Sequence, residues 1–230
     1  MFRMEWLGML ATLGFAVYMG TMMSFIMGDL YGEEVSGRLP YIVDWLYLVM
    51  MPILGSVMNR TVFGIWRSDG YTKRLALLRV YPIPIGVIVG ARIVQSILLI
   101  LVSTAVVLSL IYTLSPELRD AVSAGNWINF GILLICYSLI SNLFFVWLEI
   151  GHSGRIYLLG YFAWLALVTI AVIASDLLGV DDQAFAAALR WTESDVSAAI
   201  WPCGLILSSI AIWIGYRWIV GRVGTRSVTF

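Results

Sequence analysis

The sequence predicts an all-α membrane protein: six transmembrane helices, both termini cytoplasmic, and a short amphipathic helix between the second and third spans. Three observations carry that expectation. Charge is scarce, with 12% of the 230 residues charged against about 25% in an average soluble domain. The charge that exists is clumped, leaving apolar runs of roughly 20 residues or more, the length at which a helix crosses a bilayer. The basic residues also fall mostly on one side of those runs. A membrane barrel would alternate apolar and polar residues over ~10-residue segments; a run such as ILLILVSTAVVLSLIY does not.

Taken in order, the spans are 6–30, 41–62, 85–114, 127–149, 156–178 and 198–220, within a single domain over 1–230. Each is long enough for a bilayer core at about 1.5 Å per residue, the longer ones with tilt. The first follows MFRMEW directly. It is too long for a signal peptide and has no small-residue cleavage site, so it reads as a retained helix. Asp44 and Pro52 interrupt the second span, and its far end could run on to Trp66. Pro84 suits the first turn of the third. A GHSGR turn joins the fourth to the fifth. Between the fifth and sixth, DDQAFAAALRW has acids at its start and Arg190 near its end. That order suits the dipole of a short helix, with Phe185, Leu189 and Trp191 laid against the outer interface.

Orientation follows from lysine and arginine. With the N-terminus inside, Arg3, Arg60, Arg67, Lys73, Arg74, Arg79, Arg92, Arg155, Arg217, Arg222 and Arg226 lie on the inner side, and Arg38, Arg119 and Arg190 on the outer. The positive-inside rule then places both ends in the cytoplasm of a multi-pass protein of the cell membrane. Trp45, Trp127, Trp191 and Trp201 fall near the outer interface, as aromatic belts do. Net charge is zero, so electrostatics points to the lipid bilayer and to no nucleic acid.

Catalytic chemistry is hard to find. The one histidine, His152, adjoins Ser153 in G-x-S-G, a motif similar to the nucleophile motif of rhomboid proteases. A serine nucleophile needs a base placed to take its proton. Rhomboids draw theirs from a late helix, and the sixth span here has no histidine. A tight glycine-rich turn explains the same residues. There is no GxxxxGK[ST] phosphate loop and no metal-ligand spacing, so the chain is expected to bind no cofactor and to be no enzyme itself. Cys136 and Cys203 lie in separate apolar runs and form no CxxC pair. Among ionisable residues near membrane depth, Asp29, Asp44 and Asp176 lie near outer ends. Arg92 lies about two turns into the third span, free to snorkel to the inner interface or to pair with an acid such as Glu149.

The stretch WRSDGYTKRLALLRVYPIP stands apart from the rest of the chain. Ser68 or Asp69 can cap a helix. Tyr71, Leu75 and Leu78 share a face, while Lys73 and Arg74 project elsewhere. Pro82 stops it by lacking an N–H and by restricting Tyr81. This predicts an amphipathic helix over about 69–81. Such a helix could rest on anionic headgroups; its aromatic start and defined stop favour a protein docking surface.

From Lys73 to Ile93, KRLALLRVYPIPxGxIVxARI resembles the segment between helices two and three of type-2 ABC exporter permeases. Leu77, Leu78, Tyr81, Pro82, Ile83 and Arg92 match the form in which leucines precede a Leu/Tyr-Pro-Ile and a basic residue in the third helix. The six-span layout is similar throughout, although members often carry an interfacial helix before the first span, where only about five residues stand here.

The resemblance implies a permease subunit paired with a second permease chain, identical or homologous, above two copies of an ABC ATPase subunit that bind ATP and Mg. It implies that 69–81 is the coupling helix seated on the ATPase, with Asp69, Tyr71, Thr72, Lys73, Arg74, Leu75 and Leu78 as its contact residues. It also implies that helices two and five face the substrate path, which nominates Tyr47, Met50, Met51, Tyr161 and Trp164. A methionine and aromatic lining would suit an apolar or amphipathic cargo such as a peptide, an antibiotic or a lipid-like molecule. An ATP-independent carrier and a membrane-anchoring scaffold are the competing readings. The absence of an acid–base chain across the bilayer argues against the carrier.

Overall fold

A computed structural model of the chain describes residues 2–31, 39–56, 76–77, 83–178, 184–193 and 197–225. Among them are eight helices and no strand: α1 (Phe2–Tyr31), α2 (Leu39–Ile53), α3 (Ile85–Leu114), α4 (Pro116–Ala121), α5 (Ala124–Gly151), α6 (Gly154–Leu177), α7 (Ala184–Glu193) and α8 (Ser197–Thr225). Five of them, α1, α3, α5, α6 and α8, are long and apolar enough to cross a membrane. The chain therefore has the build of a membrane protein. The expected second span is shorter than its sequence pattern. α2 ends at Ile53, and 54–56 form a turn and a bend; the remainder of 41–62 lies outside the described residues.

Helix ends follow local chemistry. Ser123 accepts a hydrogen bond from the Asn126 amide at 3.3 Å and caps α5. α4, which the sequence pattern did not disclose, begins on Pro116 and has Glu117 in its first turn and Arg119 in its last. That charge order matches the helix dipole. Ser115, just before it, donates to the Ser24 carbonyl at 2.7 Å and ties the α3–α4 corner to α1.

Packing places α5 at the centre. α5 is the most buried of the five long helices, and α6 and α8 are the least. α1 lies along α3, α3 and α8 flank α5, and α2 fits against α5 and α6. Apolar side chains gain little by leaving one another for lipid, so close packing and buried polar bonds must hold such helices together. Gly20 shows the packing: a Cβ there would lie 3.1 Å from the Val107 Cα, so α1 approaches α3 closely only because position 20 is bare. Two apolar clusters result. One gathers Met23, Tyr47, Met51, Ile111, Trp127 and Phe130 around the end that carries α4 and α7. The other joins Val89, Ile93, Val146, Ile219 and Val223 near the start of α3 and the end of α8.

Candidate functional site

The polar chemistry of the described residues concentrates along α2 and beside the start of α3. α2 carries Pro52 in its last turn. A proline has no N–H, so the carbonyl four residues earlier, at Leu48, loses its helical donor. In a bilayer such a group has no water to turn to. The Tyr137 hydroxyl on α5 donates to the Leu48 oxygen at 2.7 Å. Five positions on, Asn142 donates from Nδ2 to the carbonyl of Pro52 itself at 2.9 Å. The turn beyond is equally held. The Ser56 amide donates to the Ile53 carbonyl at 2.8 Å, and Thr12 on α1 donates to the Ser56 carbonyl at 3.2 Å. Tyr157 on α6 hydrogen-bonds the Ser56 side chain. Gly55 is compelled: a Cβ would lie 2.5 Å from Asn142 Nδ2 and 2.7 Å from Ile100 Cδ1. Side chains of α1 and α5 thus grip the backbone at the end of α2, and Tyr157 of α6 meets the Ser56 side chain.

Beside this grip lies a buried ion pair. Arg92 donates from Nη2 and Nε to Glu149 Oε2 at 2.7 and 3.0 Å, and from Nη1 to Gln95 Oε1 at 2.9 Å. Both side chains are about nine-tenths buried. Of the two roles open to Arg92, pairing with Glu149 is the one the structure shows. A guanidinium one turn from Gln95 and facing a carboxylate on a neighbouring helix makes charge-assisted bonds inside the bundle.

The other end of α2 is bound just as specifically. Asp44 is 5% exposed. Its Oδ2 accepts from the Ala184 amide at 2.8 Å, and its Oδ1 from the Phe185 amide at 2.7 Å. The carboxylate therefore sits on the first two amides of α7, where orphan donors and the helix dipole both favour a negative charge. Asp44, which the sequence places near the outer end of its span, is a buried cap. The place expected for α7 is corrected. Phe185 and Leu189 are buried in the core rather than laid against an interface, and Trp191 alone of the three is exposed. The reason is the aromatic nest beneath them. Phe185 stacks on Tyr47 with centroids 5.1 Å apart and meets Phe130 edge-on at 5.1 Å.

The five nominated path residues divide. Tyr47 and Met51 are core residues of the cluster under α7, and Met50 beside them is half-buried. Tyr161 and Trp164 lie on α6 against Phe145 of α5, at 5.9 and 6.0 Å between centroids. A small cavity between α3, α5 and α8, lined by Ile93, Ser96, Ile100, Leu139, Asn142 and Ile212 among others, is lined by none of the five. Of the expected coupling helix, Ala76 and Leu77 are described. Both are helical, with Ala76 buried and Leu77 exposed. Asp69, Tyr71, Thr72, Lys73, Arg74, Leu75 and Leu78 lie outside the described residues. The GHSG stretch is the turn between α5 and α6. Ser153 is the residue before α6, and the His152 ring packs edge-on against Trp147 at 4.4 Å. Cys136 and Cys203 are both free thiols, and no group of three metal-ligating side chains occurs among the described residues.

The site residues that sequence reasoning missed are Tyr137, Asn142 and Thr12. Pro52 was the available signal, because it guarantees an orphan carbonyl at Leu48 and hence a donor somewhere. The donor lies 89 residues away, and no local pattern names it.

The chain matches no family model, no curated protein and no solved structure.

Proposed function

We propose that this chain is the membrane-spanning permease subunit of a type-2 ABC exporter in a bacterial cytoplasmic membrane. It works beside a second permease chain, and two separate ATPase subunits supply ATP hydrolysis. The observation that carries the reading is the binding of α2 at both ends. At one end, side chains of α1 and α5 hold the backbone at Leu48, Pro52 and Ser56, and Tyr157 of α6 bonds the Ser56 side chain. At the other, Asp44 holds α7. A helix bonded in this way transmits a push on the basic segment to the opposite end of the bundle, which is what alternating access driven from the cytoplasm requires. The sequence of the basic segment, with Lys73 and Arg74 set among Tyr71, Leu75 and Leu78, suits a docking site for a soluble partner. The cargo class, a peptide, antibiotic or lipid-like molecule, rests on fold-level analogy and on the methionine and aromatic side chains along α2 and α6.

The test is purification in mild detergent with the neighbouring genes co-expressed. An ATPase subunit should co-purify, and Lys73→Glu with Arg74→Glu, or Leu75→Asp, should release it while the permease remains folded. A chain that purifies alone and leaves ATPase activity unchanged would return it to the carrier or scaffold class.

A further inference from the structure

We propose that α7 is a lid closed on an aromatic site, with Asp44 as its latch and Phe185 as the ring that fills the site. Three features support this. First, α7 is amphipathic: Phe185, Leu189 and Thr192 are buried while Arg190 and Trp191 are exposed, so one face covers the bundle and the other faces out. Second, its start is capped by a carboxylate from another helix, since Asp44 accepts from two successive amides at 2.8 and 2.7 Å. Third, the ring beneath it is enclosed by other rings. Phe185 lies nearly parallel to Tyr47, at 10°, and nearly perpendicular to Phe130, at 80°. Trp127 extends the wall, stacked on Phe130 at 5.4 Å.

Lifting α7 removes Phe185 and Leu189 from that wall and leaves Tyr47, Trp127 and Phe130 facing the gap. Offset stacking and edge contacts are worth a defined increment beyond area burial, so such a gap selects a flat apolar or amphipathic group. Phe185 occupies in the closed state the place that such a group would take. The latch lies on α2, the helix that leads into the basic segment, so movement of α2 along its axis would draw Asp44 off the α7 amides. The lid itself does not depend on an ATPase partner, and its test uses none.

The test follows thiol accessibility in lipid nanodiscs, where both membrane faces are open to reagent. In a chain with Cys136→Ala and Cys203→Ala, Leu189→Cys places a thiol under the lid. Labelling by a charged maleimide should be slow while Asp44 is intact and about tenfold or more faster with Asp44→Ala, because a charged N-terminal cap on two amides is lost. Asp44→Asn, which keeps the shape and one acceptor, should fall between. It decides the matter if the alanine variant does not fold. An unchanged rate in Asp44→Asn and Asp44→Ala overturns the proposal. So does an equal acceleration at Val223→Cys, buried in the cluster at the other end of the bundle, because that would report general loosening rather than release of a lid.

Discussion

At the scale of the residue, the chemistry is that of backbone groups and charges that cannot reach water. Pro52 leaves the Leu48 carbonyl without a helical donor, and Tyr137 replaces it. Tyr137→Phe should therefore lower stability by about 1 kcal/mol, the usual worth of a buried bond between membrane helices. In a Pro52→Ala background the residue-52 amide serves Leu48, and the same Tyr137→Phe change should cost almost nothing. Denaturant titration of the four proteins in detergent measures this coupling directly, and additive costs would show that Tyr137 does not act through the proline. The Arg92–Glu149 pair makes a different prediction. Arg92→Met or Glu149→Leu alone strands a buried charge and should destabilise by about 3–5 kcal/mol, whereas the double replacement should recover most of that loss. Pro52 and Arg92 were both legible in the sequence as anomalies within apolar runs. Glu149 was legible as one candidate partner for Arg92, and helix packing selected it; Tyr137 was not legible, because it meets Leu48 only through packing.

At the scale of the element, α2 carries a proline in its last turn and is tied by side chains at both ends. Its sequence pattern extends beyond Ile53, but the backbone turns at 54–56, where Gly55 lets Asn142 and Ile100 approach closer than any side chain would permit. Gly55→Ala should therefore cost about 1–3 kcal/mol by overpacking, read as a fall in the thermal midpoint. Asn142→Ala should relieve part of that cost by opening the space, and a Gly55→Ala variant with unchanged stability would contradict the packing. α7 was legible as a helix from its acids, its arginine and its alanine-rich core. Its burial was not, since an amphipathic helix with Phe185 and Leu189 on one face suits an interface and a protein core equally well. The choice was made by Asp44 and Tyr47, which lie about 140 residues earlier in the chain and meet α7 only in the folded state.

At the scale of the whole molecule, large apolar side chains remain on the outside. Ile206, Ile210 and Trp213 of α8 are 59%, 49% and 60% exposed, which in a soluble protein would mark an aggregation surface and in a bilayer is a lipid face. A spin label at Ile210→Cys in nanodiscs should be relaxed strongly by oxygen and weakly by a water-soluble nickel chelate; the reverse order would remove α8 from the lipid. Composition and run length alone determined that the chain is helical, apolar and built of long membrane-length segments, because the cost of an unpaired backbone group in hydrocarbon leaves few alternatives. The basic segment that ends at Pro82 and Pro84 is read from local sequence as an expectation, and most of it lies outside the described residues. Tertiary structure decided where α2 stops, selected Glu149 as the partner of Arg92, and alone showed that Asp44 caps α7 over an aromatic nest. Each of those depends on groups distant in sequence, brought together where no water competes for their bonds.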